Sequence, residues 1–157
     1  MTLLDVLQET LSQWDWHDEI IHDDADGTDY IRTNYQIDSQ VYSLVFLVDE
    51  QRQWISMSVM APLFVPEDRL EHAAVLVNYF NARLAMGTFF VDSKGGVLYR
   101  VAFDVEGTEA VVTQFENLRS LGSNAFNRHR VKAIATLALT STDVHDIIED
   151  YDADVAR

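Results

Sequence analysis

The segment from Pro66 to Phe103 constrains the fold more than any other, because it joins an amphipathic helix, a glycine stop and a hairpin. Pro66 suits the first position of a helix, where the N–H that proline lacks has no partner in any case. The helix is predicted to end near Gly87, since glycine favours the conformation that closes a helix. Two apolar runs then flank a Ser-Lys-Gly-Gly turn at residues 93–96. This pattern predicts an antiparallel hairpin directly after the helix.

Two asparagines, Asn78 and Asn81, lie on this helix. At about 100° per residue, Asn81 falls near the middle of the apolar stripe. The stripe is predicted to consist of Leu70, Ala74, Val77 and Leu84. A buried amide without a partner costs about 1 to 3 kcal/mol, so Asn81 is predicted to hydrogen-bond the backbone of the neighbouring hairpin. The functional alternative is that Asn78 and Asn81 bind the backbone of a bound peptide.

Strand-like runs dominate the first half of the chain. A first helix is predicted over about residues 3–16, with Thr2 as its N-cap and Asp5 three residues later. Three strands are then predicted, at residues 28–37, 40–49 and 53–61. With the helix and hairpin described above and a final helix, the order is α-β-β-β-α-β-β-α. This order predicts an α+β fold in which helices pack on one face of an antiparallel sheet.

The length and composition of the chain indicate one folded domain. The chain has 157 residues, of which 48% are apolar, and a chain of this size buries roughly 70% of its unfolded surface. We expect a single α+β domain over residues 1–140 and an acidic C-terminal tail over residues 141–157. For the tail, an extended segment that docks on a client and a short amphipathic helix both stay open.

The predicted strand from Val41 to Val48 is apolar on both of its faces. Val45 and Leu47 point to one side of the pleat, and their neighbours along the strand point to the other. On the next strand, Trp54 and Ile55 point to opposite faces. If helices cover one face of the sheet, the other apolar face needs cover. The two candidates are another polypeptide, either a second subunit or a bound client, and the C-terminal helix of the chain itself.

The charge of the chain is strongly negative, with 26 acidic and 11 basic residues and a net charge of -15. Such a charge repels phosphate groups, so nucleic acid and anionic membranes are not expected as partners. The chain has no cysteine, which excludes disulfides, thiolate nucleophiles and cysteine-bound zinc. The first residues lack the basic and apolar regions of a signal peptide, and a cytoplasmic location is expected.

The acidic segment at residues 15–29 is the main candidate for a metal or catalytic site. Aligning Gly27 with the glycine of a calcium loop places His22 at the first ligand position and Thr33 where a glutamate belongs. A solvated Asp-Gly turn is therefore the preferred interpretation, and no metal or cofactor is predicted. The enzymatic alternative is a small hydrolase or metal-assisted enzyme that uses His17, His22 and Asp24 of this segment.

The segment at residues 62–103 resembles the YbjN-like family of bacterial sensory transduction regulators. The resemblance rests on the helix after Pro66, the pair Asn78-x-x-Asn81, and the runs Met-Gly-Thr-Phe-Phe-Val-Asp at 86–92 and Gly-Val-Leu-Tyr-Arg at 96–100. With less specificity, it extends over residues 28–140. The family is similar in fold to the type III secretion chaperones, small acidic proteins that dimerise and bind extended segments of client proteins.

The resemblance implies a homodimeric binding or regulatory protein without catalytic activity. Together with the apolar strand, it predicts a module that binds a client or regulatory protein through an apolar sheet or helix face. Candidate contact or structural residues are Trp54, Val45, Leu47, Asn78, Asn81 and Arg100. For Arg100, a surface ion pair with Asp92 across the hairpin is the ordinary expectation, and an anchor for a ligand is the alternative.

Overall fold

The computed structural model describes residues 1–157 as an α+β fold with one six-stranded antiparallel sheet and five α-helices. The predicted fold class is therefore confirmed. The helices are α1 (Leu3–Gln13), α2 (Leu70–Asn81), α3 (Val112–Ala125), α4 (Arg128–Leu139) and α5 (Val144–Val155). The strands are β1 (Ile21–Asp23), β2 (Thr28–Ile37), β3 (Gln40–Asp49), β4 (Trp54–Phe64), β5 (Thr88–Val91) and β6 (Gly96–Asp104).

The strands lie in the order β1-β2-β3-β4-β6-β5, and every neighbouring pair is antiparallel. The first four strands form a meander, because short turns join each strand to the next. Helix α2 then carries the chain past the position of β6 to the edge strand β5, and β6 returns between β4 and β5. Strands β3, β4 and β6 therefore form the middle of the sheet.

One face of the sheet carries the whole hydrophobic core. On β3, the side chains of Leu44, Phe46 and Val48 on this face are at most 1% exposed. Trp14, just after α1, packs against Phe46 with the ring centroids 5.7 Å apart. A Cβ added to Gly122 of α3 would come within 2.5 Å of a Met57 side-chain atom, so α3 lies directly against β4. The helices therefore share one side of the sheet.

Helix α5 lies on the outside of the helical layer and does not cover the second face of the sheet. Its Tyr151 ring packs against Phe80 of α2 at 5.2 Å between centroids. Val144 and Ile147 of α5 are buried as well. The Asp143 side chain caps the helix by accepting a hydrogen bond from the His145 N–H at 2.8 Å. The acidic segment after residue 140 is therefore a 12-residue helix packed on α2 and α4.

The boundaries and phase of α2 differ from the sequence prediction. A 3₁₀ turn at Glu67–Arg69 precedes the helix, which ends at Asn81 rather than near Gly87. The buried side of α2 consists of Ala73, Leu76, Val77 and Phe80. Ala74, placed in the apolar stripe from the sequence, is exposed. The sequence contains this second apolar stripe as well, at the i, i+3, i+4 and i+7 spacing of a helix face, and packing against the sheet and α5 selects it.

Two other regions contain more elements than predicted. The acidic segment at residues 15–29 contains the start of a short hairpin, in which β1 pairs with β2 around a turn that ends at Gly27. Gly27 has φ 66°, and its N–H donates to the Asp23 carbonyl at 2.8 Å. The final helix, for which the sequence predicts a bend or split at Gly122-Ser123, is divided a few residues later into α3 and α4, because the Asn127 side chain caps a new helix by accepting from the His129 and Arg130 N–H groups.

Candidate functional site

The second face of the sheet, called here the open face, has no helix packed on it. Side chains alternate between the two faces of each strand, so the strand register arranges the residues of the open face in rows that cross the strands. Four rows are numbered from one end of the sheet. The second row is Ile21, Tyr30, Leu47, Ser56 and Ala102. The third row is Arg32, Val45, Ser58, Arg100 and Thr88, and the fourth row is Asn34, Ser43, Met60, Leu98 and Phe90. The first row, at the end of the sheet, contains Asp23, Thr28, Asp49, Trp54 and Asp104. We call the third row the arginine row.

The open face is apolar across several of its strands. Val41 is 54% exposed, Trp54 45% and Phe90 38%, and Val45 and Leu47 are half-buried. Neighbouring residues of the same strands that point to the helices are almost completely buried. The open face thus exposes apolar side chains from β3, β4 and β5 to solvent.

A groove of 890 Å³ lies over the part of the open face formed by β3, β4 and β6. Leu47, Ser56 and Ala102 of the second row are among its lining residues. The groove is also lined by Trp54, Met86, Thr88, Phe90 and Arg100. Met86 belongs to the loop after α2, so this loop raises one wall beside the sheet. The groove therefore combines apolar side chains with the guanidinium groups of Arg52 and Arg100 and the carboxylates of Asp26 and Asp49.

The structure brings four of the predicted site residues together. Trp54, Val45, Leu47 and Arg100 all lie on the open face. Sequence reasoning missed Arg32, Met86, Phe90 and Leu98, which share this surface. Strand alternation within the predicted hairpin of β2 and β3 indicates that Arg32 lies on the same face as Val45. Met86 has no such signal, because its position depends on how the loop folds over the sheet.

Asn81 lies on the opposite side of the sheet and has a structural role. Its side-chain Nδ2 donates to the Phe89 carbonyl at 2.9 Å, and its Oδ1 accepts from the Phe89 N–H at 2.7 Å. Both amide atoms thus join α2 to the edge strand β5. Asn78 is exposed on α2 and is not on the open face. The structure therefore separates the two asparagines from the other site candidates.

The expected ion pair between Arg100 and Asp92 does not form, and that prediction was wrong. The Asp92 carboxylate accepts the backbone N–H groups of Lys94 and Gly96, both at 2.9 Å, and closes the turn. The register explains the difference, since Arg100 lies opposite Thr88 at the far end of the hairpin. Arg100 makes no ion pair with any side chain of the protein.

The carboxylate of Asp49, at the end of the open face, is paired with Arg52. The Arg52 backbone N–H donates to one oxygen at 2.9 Å and the Arg52 guanidinium to the other at 2.9 Å. These contacts, the backbone N–H first, hold the pKa of the Asp49 carboxyl below its usual value although burial opposes them. Asp49 is therefore a charged group of the turn between β3 and β4 rather than a free acid.

The acidic segment does not assemble the site required for a hydrolase. His22 contacts Asp29 at 2.8 Å and Asp24 at 3.4 Å, but the Asp24 side chain is fully exposed. His17 is exposed beside Asp15. None of the principal pockets is lined by His17, His22 or Asp24. No group of three or more His, Cys, Asp or Glu side chains is placed to hold a metal ion.

The fold and the open face define a class of α+β protein with helices on one side of an antiparallel sheet and an apolar surface on the other. The sequence matches the YbjN family model, described as "Putative bacterial sensory transduction regulator", over residues 3–129. The chain therefore belongs to the YbjN family, and the resemblance found in the sequence is confirmed. Comparison with curated protein sequences finds no match.

Solved structures with a similar fold include YbjN from E. coli, described as "a putative transcription regulator". Its TM-score is 0.51 at 14% identity, covering 87% of this chain and 88% of that one. A chain of the ExsC–ExsE complex has a TM-score of 0.58 at 16% identity, covering 90% and 100%. A chain of the HopA1–SchA chaperone–effector complex has a TM-score of 0.50 at 16% identity, covering 77% and 86%. These similarities confirm the predicted type III secretion chaperone-like fold.

The helices of this chain are too short and too polar to cross a membrane. The longest, α3, has 14 residues, whereas a spanning helix needs about 20 apolar residues.

Proposed function

We propose that this protein is a non-enzymatic, homodimeric regulator or chaperone that binds a segment of a client protein on its open face. The observation that carries the proposal is the asymmetry of the sheet. Five helices bury one face, while the other face keeps Val41, Trp54 and Phe90 at least 38% exposed. The cytoplasmic location expected from the sequence is part of the same proposal.

The physical basis is the cost of leaving apolar surface in water. Removing such surface from water stabilises a complex by about 25 cal/mol for each Å² buried. The 890 Å³ groove offers a concave place for one or two apolar side chains of a partner. Membership of the YbjN family supports a regulatory role. The similar folds in the ExsC–ExsE complex and in a chaperone–effector complex support binding of another protein.

Site-specific photo-crosslinking in cells of the native organism tests this proposal. A benzophenone amino acid replaces Val45 on the open face, and a matched variant carries it at Leu139, which is 77% exposed at the end of α4. We expect an adduct with a second, different protein from the Val45 position and not from the Leu139 position. Mass spectrometry of the adduct then identifies the bound segment.

Two results would contradict the proposal. If the Val45 position gives only an adduct of twice the mass of this chain, the open face is a contact between two copies and not a client site. If the Leu139 position captures the same partner as the Val45 position, the partner does not recognise the open face. Light scattering on the purified protein tests the homodimer independently, because a monomer at all concentrations contradicts it.

A further inference from the structure

Arg32 and Arg100 are the two arginines of this protein whose side chains make no hydrogen bond, ion pair or cation–π contact with the rest of the chain. The remaining seven have partners: Arg52 and Arg157 pair with carboxylates, Arg69 and Arg130 donate to carbonyls, Arg83 and Arg119 lie over aromatic rings, and Arg128 contacts a histidine. Arg32 and Arg100 are both exposed. They also lie in one row of the open face, the arginine row.

Charge on the open face is separated by row. The carboxylates of this face, Asp23, Asp49 and Asp104, all lie in the first row, at the end of the sheet. The three rows beyond it contain no acidic residue, and Arg32 and Arg100 are their only charged side chains. The two positive side chains thus lie among apolar and uncharged polar residues, on a protein whose net charge is -15.

The spacing of the two guanidinium groups suits a peptide that crosses the strands. Arg32 on β2 and Arg100 on β6 are three strands apart, which corresponds to about 14 Å at ~4.8 Å per strand. An extended peptide rises about 3.3 Å per residue, so about four residues span this distance. Between the two arginines the row contains only Val45 and Ser58. The groove with Trp54 and Phe90 lies beside Arg100.

We propose that the open face binds an acidic and apolar client segment, in which two carboxylates about four residues apart contact Arg32 and Arg100. An apolar side chain of the same segment enters the groove between Trp54, Met86 and Phe90. This inference rests on the proposed function and gives the chemistry of the client. Arginine suits the role because its planar guanidinium binds a carboxylate through two parallel hydrogen bonds.

The acidic first row adds specificity to this arrangement. If the segment shifted by two rows, from the third row to the first, its carboxylate would meet Asp104 instead of Arg100. Like charges repel, so this register is disfavoured. The rest of the surface, with its excess of acidic groups, also repels an acidic segment. Arg52, the other guanidinium beside the groove, is already paired with Asp49. The arginine row is therefore where a carboxylate of the segment meets an unpaired opposite charge, and this fixes the register of the bound segment.

Selection from a display library of random 12-residue peptides on the full-length protein tests the inference. We expect enriched peptides to contain two Asp or Glu residues about four positions apart with an aromatic or aliphatic residue between them. The enriched peptides are then synthesised with a fluorophore. Their affinity is measured by anisotropy for the wild type, Arg32→Gln, Arg100→Gln and the double variant. Arg128→Gln, an exposed arginine on the helical side, is the matched control.

Each substitution on the open face should weaken binding by about tenfold, the size of one charge-assisted hydrogen-bonded pair. The control should bind as the wild type does, and affinity should fall as salt screens the pairs. Melting temperatures of all variants verify that they fold.

Two results would overturn the inference, and they differ in what they say of the proposed function. If uncharged or basic peptides are enriched and bind the double variant equally well, the open face binds peptides but not acidic ones, and the proposed function stands. If no peptide is enriched and crosslinking shows the open face pressed against a second copy of this chain, both the inference and the proposed function fail.

Discussion

At the scale of the residue, Asn81 shows how one side chain replaces secondary-structure bonding. Its amide reproduces the two hydrogen bonds of a neighbouring strand and satisfies the N–H and carbonyl of Phe89. These backbone groups belong to the edge strand β5, whose outer side has no further strand. Asn81 thus protects part of that edge and also fixes the distance from α2 to the sheet.

Asn81→Ala is expected to lower the free energy of unfolding by about 1 to 3 kcal/mol, because it leaves the Phe89 backbone groups without their partners. Asn78→Ala, on the exposed side of the same helix, is expected to change it by less than about 0.5 kcal/mol. Urea denaturation followed by circular dichroism measures both. Equal effects of the two substitutions would mean that water replaces the Asn81 amide without loss.

His22 provides a prediction about pH. Its hydrogen bond to the Asp29 carboxylate raises the pKa of His22 above 6.5. Since the pKa is higher in the folded than in the unfolded chain, protonated His22 adds stability that is fully present below the unfolded pKa. This contribution is lost as the pH rises through the folded pKa. The pH dependence it adds therefore lies near and above the ordinary titration range of histidine.

Titration of the His22 ring signals by NMR measures this pKa directly. Asp29→Asn should lower the pKa of His22, and Asp24→Asn should lower it less, because the bond to Asp29 is the main cause of the shift. A larger decrease in the Asp24 variant would show that His22 turns toward the other carboxylate in solution.

At the scale of the element, α5 demonstrates that an acidic sequence can still belong to the core. Its charged residues are exposed except Asp154, which pairs with Lys132 of α4, while Val144, Ile147 and Tyr151 return on one side at helical spacing. Arg69 strengthens the connection, since its guanidinium donates to the Leu137 and Thr142 carbonyls on either side of the turn before α5. The helix therefore closes the layer formed by α2 and α4.

Ile147→Ala should lower the free energy of unfolding by about 2 to 5 kcal/mol, the usual cost of a cavity in a core. The neighbouring Ile148→Ala removes the same atoms from a partly buried position and should cost clearly less. Thermal and urea unfolding of the two variants give the comparison. If the two costs are alike and small, α5 is only loosely packed on the rest of the protein.

The elements that sequence predicts well are those with a regular pattern. Strands β2 and β3 begin and end at the predicted residues, since alternation and turn residues define them. Strand β1 was missed because its three residues are mostly exposed and show no alternation. The stripe on α2 failed at Ala74, because the sequence also contains a second apolar stripe of Ala73, Leu76, Val77 and Phe80, and only tertiary packing decides which one is buried. Local patterns thus determine strand limits but not helix partners.

At the scale of the whole molecule, the net charge of -15 is an unfavourable term for the folded state. Like charges on a compact surface repel each other, and salt weakens this repulsion. The ion pairs of this protein are few and mostly exposed, so their contribution to stability is small. Repulsion is therefore the larger electrostatic effect in the folded chain.

The melting temperature should rise when the salt concentration increases from about 0.01 M to about 0.15 M, as the screening length falls from ~30 Å to ~8 Å. Differential scanning calorimetry in sodium chloride measures the change, and choline chloride is the control for specific binding of sodium. A lower melting temperature in both salts would mean that attractive pairs outweigh the repulsion.

The candidate site was only partly predictable because its residues come together through the register of the sheet. Val45, Leu47 and Trp54 were found from strands that are apolar on a face without predicted cover. Arg100 was found, but its expected partner was wrong, since the pairing of β5 with β6 sets which residue lies opposite. Strand alternation could place Arg32 on the open face, but its position in one row with Arg100 needed the order of four strands across the sheet, which no local pattern contains.

Recognition through the arginine row depends on a folded chain that contains all five of its strands. The arginine row takes one residue from each of five strands, so it has no linear counterpart in the sequence. A fragment that lacks β2 or β6 retains only one of its two arginines, and an unfolded chain has no row at all. Unfolding, or the loss of β2 or β6, therefore separates the two arginines, and their pairing in one row reports that the molecule is folded and retains both strands.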